Sequence, residues 1–101
     1  MKLTQKLIKK INDTTKCYIV SEPHYYCIQV DNPCGEDFSF EVRKSPNEVE
    51  DIITYCDNFD SDEHFSLWFG QNRGEPSSAR VLLDNCEDIA ESLSALADLL
   101  R

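Results

Sequence analysis

The sequence lacks most of the features that would assign a chemistry directly. Glycine occurs only three times in 101 residues, and Gly70 and Gly74 are not followed by the Lys-Ser/Thr pair of a phosphate-binding loop, so nucleotide binding has no support. No apolar run approaches the roughly 20 residues that span a bilayer. The N-terminus, MKLTQKLIKKIND, has neither the apolar core nor the cleavage site of a signal peptide. We therefore expect a cytoplasmic protein with no membrane partner.

A cysteine framework is also missing, because the five cysteines are odd in number and form no CxxC pair. Buried free thiols in a reducing compartment are the default for such a pattern. A zinc clip at His24, Cys27 and Cys34 lacks a fourth ligand at regular spacing. A nucleophilic Cys27 or Cys34 activated by His24 or His64 lacks the surrounding residues of a known enzyme family. We predict no enzymatic activity, no metal and no cofactor.

Basic residues are scarce outside the N-terminus. The net charge is -9; residues 1–16 hold five lysines against Asp13, whereas residues 17–101 hold eighteen acidic residues against five basic ones. Such a body repels nucleic acid and anionic membrane and attracts basic proteins. Direct nucleic-acid binding is therefore disfavoured. The alternative is that the acidity only keeps the protein in solution.

The pattern of apolar residues predicts an α+β fold in a single domain over residues 1–101. Leu3, Leu7, Ile8 and Ile11 recur at helical spacing, which predicts a first helix that ends near Asn12. Short β-prone runs at 17–21 and 25–31, a turn at 32–35 and the alternation of residues 38–43 predict three antiparallel strands in meander order. Two to three helices should then cover one face of this sheet.

The remaining helices are marked by capping signals. "SPNE" suggests Ser45 as N-cap, Pro46 at the first helical position and Glu48 completing a capping box, with the helix running to about Asn58. Ser61 is a second cap candidate, and Gly70 is expected to end its helix or open the loop "GQNRGEPSS". An apolar seam from Leu82 to Leu100 predicts a long C-terminal helix. Packing of this seam within the monomer is favoured over a coiled-coil dimer, so a monomer or homodimer is expected.

The stretch "FDSDEHFSLWF" at 59–69 combines acids, a histidine and aromatic side chains. It is not a calcium loop, because the sixth and twelfth positions counted from Asp60 are Phe65 and Gln71. Carboxylates in the first turn of a helix complement its dipole, and His64 just inside that helix is expected to be solvated. Phe65, Trp68 and Phe69 are expected to anchor the helix to the core.

Residues 45–72 contain no Lys or Arg, and their acids are expected to form one continuous, exposed ridge. Carboxylates can satisfy the guanidinium donors that otherwise bind phosphates, so the ridge is a candidate site for an arginine-rich partner. The alternative is a solvated face with no partner. The predicted partner-binding residues are Glu48, Glu50, Asp51, Asp57, Asp60, Asp62 and Glu63.

Three motifs in the second half, FDxDEH, G-x-PSS-x-R and L-x-x-LAD-x-L, span residues 59–100, and "NPCGEDFSF" adds a looser match. Together they make the chain resemble small acidic proteins encoded by bacteriophages and conjugative elements of gut Firmicutes. The resemblance implies a mobile-element protein and supplies no catalytic residues. Acidic phage proteins often bind host proteins, and anti-CRISPR proteins that block nucleic-acid-binding effectors are one such group.

Two functions follow from these expectations. The first is a non-enzymatic inhibitor or modulator that uses the acidic ridge to bind a basic host protein, such as a CRISPR nuclease effector. The second is a small homo-oligomeric structural or scaffolding protein, whose C-terminal seam and Trp68 region form the interface.

Overall fold

The chain begins with a helix, continues as three strands and ends in three helices. The computed structural model describes residues 1–31, 38–71 and 76–101, with side chains for 1–31, 38–67 and 83–101. The elements are α1 (Gln5–Thr14), β1 (Cys17–Ser21), β2 (Tyr25–Val30), β3 (Phe38–Arg43), α2 (Glu48–Asn58), α3 (Ser61–Gln71) and α4 (Pro76–Leu100). This order confirms the predicted α+β fold.

The three strands form an antiparallel sheet in the predicted order β1-β2-β3. Ile19 pairs with Ile28, and Ile28 with Phe40, so apolar residues of the three strands share one face. Because side chains alternate along a strand, the opposite face carries the more exposed residues, among them Tyr18, Gln29 and Glu41. The turn predicted at residues 32–35 lies outside the described residues.

The apolar seam of α4 lies in the core. Ile89, Leu93 and Leu96 have no exposed surface, and they belong to the same buried cluster as Ile28 of the sheet and Ile52 of α2. Each such side chain contributes about 1.5–3 kcal/mol when it leaves water. The predicted packing of the seam within the monomer is therefore confirmed from Cys86 onward. In the described part of the chain, no helix combines the length and apolar composition needed to cross a bilayer.

Helix α1 closes the outer edge of β1. The Thr4 hydroxyl accepts a hydrogen bond from the Leu7 amide at 3.1 Å and caps the helix. Besides its buried apolar face, the α1 segment has two polar side chains that contact the backbone of β1. Asn12 Oδ1 accepts a hydrogen bond from the Ile19 amide at 2.8 Å, and Thr15 Oγ1 accepts one from the Cys17 amide at 3.0 Å. Side chains thus satisfy two of the amides that a further strand would otherwise use, those of Cys17 and Ile19.

The predicted capping box of α2 is wrong. The N-cap is Asn47, and its side chain makes no capping bond. Glu48 turns into the protein, where its Oε1 accepts from the Leu3 amide at 3.3 Å, and the Val49 amide donates to the Met1 carbonyl at 3.1 Å. The first residues of the chain therefore supply the contacts that the box was expected to make locally.

The boundaries of α3 and α4 also differ from expectation. Helix α3 continues through Gly70 to Gln71, and α4 begins at Pro76, so the predicted loop at 70–78 is shorter at both ends. Glycine costs only about 1 kcal/mol in a helix interior, and proline is well suited to the first helical position. Residues 72–75 of that predicted loop lie outside the described residues.

The Asn12 contact makes a measurable contribution to folding. Replacing Asn12 with Ala leaves the Ile19 amide without its acceptor, so we expect the free energy of unfolding to fall by about 1–3 kcal/mol. Urea denaturation measures this change. The neighbouring exposed substitution Asp13→Ala is the control and should stay within about 0.5 kcal/mol of the wild type. An equal effect of both substitutions would contradict the assigned role.

Candidate partner-binding groove

The exposed acids of α2 lie in two rows, because the helical period places them on two different flanks of the helix. Glu50 and Asp57, seven positions apart, share one flank, and each faces a cation. Both Glu50 carboxylate oxygens accept from the Met1 ammonium at 2.7 Å, and this hydrogen bond holds the pKa of Glu50 below its usual value. Asp57 pairs with Arg101, which also contacts Asp98 at 3.0 Å. These two charges are thus largely neutralised.

Asp51 lies on the other flank of α2, in a row with Tyr55 and Asn58 at four and seven positions further along. This row leads to the start of α3, where Asp60 and Glu63 are exposed. Among the described residues, no cation pairs with Asp51, Asp60, Asp62 or Glu63. Within the described residues, these four carboxylates therefore have no ion-pair partner.

Asp60 positions the beginning of α3. Its Oδ1 accepts from the amides of Asp62 at 3.0 Å and Glu63 at 3.2 Å, which is the N-cap role predicted for Ser61. Asp62 and Glu63 then fall in the first turn, as predicted, and complement the positive end of the helix dipole. The N-cap of α3 is therefore Asp60, one residue before the predicted Ser61.

A groove of about 340 Å³ lies between the end of α2 and the first two turns of α3. Two apolar side chains remain exposed there, Leu67 with 59% and Tyr55 with 36% of its surface. The Tyr55 ring stacks on Phe40 of β3, with centroids 3.8 Å apart and planes 11° from parallel. The groove is lined by Tyr55, Asn58, Phe59, Asp60, Glu63, His64 and Leu67.

His64 forms the inner wall of this groove, and the prediction of a solvated histidine is wrong. Its ring packs edge-on against Phe38 at 5.3 Å and tilted against Phe59 at 5.5 Å. This burial lowers the pKa of His64, because the charged imidazolium loses its hydration beside the two aromatic rings. The neutral form is consequently favoured.

The structure revises the predicted ridge in two respects. Glu48 is only 3% exposed, so its assignment to the binding surface is wrong. The other six predicted residues are exposed, but they divide into the paired flank of Glu50 and Asp57 and the unpaired set of Asp51, Asp60, Asp62 and Glu63.

The sequence prediction missed Tyr55 and Leu67 as members of the site. The available signal was that Tyr55 falls off the buried stripe of α2 formed by Val49, Ile52 and Cys56. A large apolar side chain outside the stripe of its helix is a candidate for contact with a partner.

The other candidate chemistries find little geometric support. Burial raises the pKa of Cys17 to about 11 and of Cys56 to about 12, so both thiols stay protonated at neutral pH. Cys27 lies on the outer sheet face, whereas His64 contacts the core-side residue Phe38, so the sheet separates these two residues. Among the described residues, no three His, Cys, Asp or Glu side chains are grouped to hold a metal ion. Cys34 lies outside the described residues.

The helix anchor predicted from the aromatic residues of α3 is only partly visible. Phe65 is half-buried, while the side chains of Trp68 and Phe69 lie outside the described set. Phe59, which precedes the helix, packs on the core and meets Phe38 edge-on at 5.6 Å. The observed aromatic anchor is thus Phe59 together with His64.

A larger cavity of about 530 Å³ lies at the beginning of β1, where Lys16, Tyr18 and Asp31 contribute to its lining. Residues 32–37 follow Asp31 directly and lie outside the described set. Its described wall carries one basic and one acidic residue, so it offers no concentration of charge of one sign. The described wall of the groove between α2 and α3 instead carries two acidic residues, Asp60 and Glu63, and no Lys or Arg.

Comparison with known proteins adds no functional assignment. No family model matches the chain, and no curated protein or solved structure matches it. Function must therefore be argued from the groove itself.

Because Asp60 and not Ser61 is the N-cap, substitutions at these two adjacent residues should lower the free energy of unfolding by different amounts. Asp60→Ala should lower the free energy of unfolding by about 1 kcal/mol, because two amides lose their acceptor, whereas Ser61→Ala should change it by less than about 0.5 kcal/mol. Asp60→Asn keeps the acceptor and should restore most of the loss. Urea denaturation distinguishes these outcomes, and a larger cost at Ser61 would assign the cap to that residue.

Burial of His64 predicts a pH dependence of stability. Because the folded-state pKa is lowered, the unfolded chain binds a proton at His64 more readily than the folded chain. The stability contributed by neutral His64 is complete above the unfolded pKa of about 6.5, and it is lost as the pH falls from there through the folded pKa.

Urea denaturation between about pH 5 and about pH 8 measures this effect. His64→Gln should flatten the dependence relative to the wild type, while the matched substitution of the exposed His24, His24→Gln, should leave it unchanged. A wild-type dependence that persists in His64→Gln would show that another group is responsible.

Proposed function

We propose that the protein is a non-enzymatic binder of a basic partner protein and that the groove between α2 and α3 is its contact surface. The observation that carries this proposal is the combination of two exposed carboxylates that have no ion-pair partner among the described residues, Asp60 and Glu63, with the exposed apolar side chains of Tyr55 and Leu67. Acids alone would be an ordinary solvated face. Acids beside exposed apolar groups form a surface that both attracts a cation and desolvates it.

An arginine side chain fits this combination of groups. Its aliphatic stem can cover Leu67, and its guanidinium can lie against the Tyr55 ring. The same guanidinium has five donors, so it can pair with Glu63 or Asp60 while it stacks. A lysine satisfies the charge but neither the planar stacking nor the bidentate geometry, so an arginine-rich partner is favoured.

The partner class that we propose is a nucleic-acid-binding host protein, such as a CRISPR nuclease effector, whose activity the protein inhibits or modulates. Two features support this choice. The net charge of -9 is opposite to that of a nucleic-acid channel. The motifs at residues 59–100 resemble those of phage and mobile-element proteins, and the first of them coincides with the beginning of α3. Competition with DNA for a purified effector tests this part of the proposal directly.

The homo-oligomeric scaffold is the weaker alternative. The seam residues that were to form its interface, including Leu93 and Leu96, are buried in the monomer core. A dimer built on this seam would first have to open the domain. The Trp68 part of that interface lies outside the described side chains.

Charge reversal at Glu63 in the groove and at Asp51, one turn before Tyr55 on α2, provides the central test. Asp51→Lys combined with Glu63→Lys should weaken binding of a fluorescein-labelled arginine-rich peptide at least about tenfold, because each charge pair contributes up to about 1 kcal/mol and reversal adds repulsion. The matched control is Glu87→Lys with Glu91→Lys, which makes the same charge change on an exposed face of α4. Fluorescence anisotropy measures both affinities, and circular dichroism verifies folding.

Salt provides an independent measure of the same interaction. Wild-type affinity should fall steeply between about 0.1 M and about 1 M salt, over which the Debye length shrinks from about 10 Å to about 3 Å. Equal losses in the groove variant and in the α4 variant would indicate a nonspecific response to net charge and would overturn the assignment of the groove.

A further inference from the structure

The two edges of the sheet differ in how they are protected. On the outer edge of β1, Asn12 and Thr15 of the α1 segment cover two of the outward amides, those of Ile19 and Cys17. Strand β3 has β2 as its only neighbour in the sheet of the described residues. The contrast is informative, because an open edge exposes backbone donors and acceptors that another chain can use.

The register identifies which groups of β3 are open. The Lys44 amide donates to the His24 carbonyl, and bonded pairs alternate along an antiparallel ladder, so Val42 and Phe40 also bond to β2. The intervening residues, Ser39, Glu41 and Arg43, therefore direct their amides and carbonyls away from the sheet. Within the described residues, these groups have no hydrogen-bond partner.

We infer that the open edge of β3 receives an extended, basic segment of the partner protein as a fourth strand. The inference rests on the proposed function, and it specifies the conformation in which the partner is bound. Addition of a strand supplies affinity through main-chain hydrogen bonds, while alternate side chains provide selectivity on the two faces.

The surroundings of this edge favour a cationic strand. On the outer face, a residue opposite Glu41 can form a cross-strand ion pair. On the core face, a residue beside Phe40 comes next to the Tyr55 ring that stacks on Phe40, and Tyr55 lines the same groove as Asp60 and Glu63. Lys44 does not oppose such a strand at close range, because its ammonium reaches inward to Ser21 Oγ at 2.8 Å and lies over the Tyr26 ring.

Charge also selects against a second copy of this chain at the same edge. Each copy has a net charge of -9, so edge-to-edge pairing brings two strongly acidic bodies together. A register centred on Glu41 would in addition place two like charges directly opposite each other. Arg43 adds one selective element, since it disfavours a cation opposite its own position and favours a neutral or acidic residue there.

The test uses two fluorescein-labelled peptides of equal charge and length, one alternating Arg and Thr and one a helical Arg/Ala sequence. The wild type should bind the alternating peptide at least about tenfold more tightly, because only that peptide can pair as a strand. Ser39→Pro removes one outward amide of β3 without removing a bond to β2, and it should weaken this binding about tenfold. Ser39→Ala keeps the amide and is the matched control.

A second measurement leaves the protein unchanged. Methylating the backbone nitrogens of one alternate set of peptide residues should abolish binding, whereas methylating the other set should not, because only one set of amides in an added strand points to β3.

If both methylated peptides and the helical peptide bind as well as the alternating one, strand addition is wrong, although the groove remains a site for basic chains. If neither unmodified peptide binds, the proposed function fails as well. A concentration-dependent dimer that Ser39→Pro abolishes would assign the edge to a second copy and overturn the inference.

Discussion

Burial of the α4 seam is the contact on which the rest of the structure depends. Ile89, Leu93 and Leu96 are completely enclosed, and α4 contacts the sheet, α2 and α3. Because one long helix packs against all of these elements, it determines where α2 and α3 stand relative to β3. The groove exists because α2 ends beside Phe40 while α3 turns back onto α4. The groove is thus a consequence of core packing.

Ion pairing distinguishes the two flanks of α2, because the acids on the flank away from the groove are paired with cations. The flank of α2 that carries Glu50 and Asp57 is paired with the Met1 ammonium and with Arg101. The flank that carries Asp51, and the first turn of α3, have no such partners among the described residues. An exposed ion pair contributes little to stability, but it removes the field that would attract a basic protein. Of the predicted acids, those nearest the groove therefore retain the strongest attraction for a cation.

The proposed groove lies next to β3, because Tyr55 of the groove stacks on the buried Phe40 side chain of that strand. On the opposite edge, Asn12 and Thr15 of the α1 segment cover the Ile19 and Cys17 amides of β1. Within the described residues, the outward groups of β3 have no such cover.

Local patterns in the sequence were sufficient to predict the helices, the strands, the meander and the buried seam, because period and turn chemistry are properties of neighbouring residues. They also indicated the exposed acids around Asp60. They were wrong about Glu48, whose carboxylate faces the Leu3 amide, and about His64, whose ring packs against Phe38 and Phe59. Only the tertiary structure determined these positions, the division of the acids into paired and unpaired sets and the open edge of β3. Each of these features depends on contacts between groups that are far apart in the chain, and a local sequence pattern does not specify such contacts.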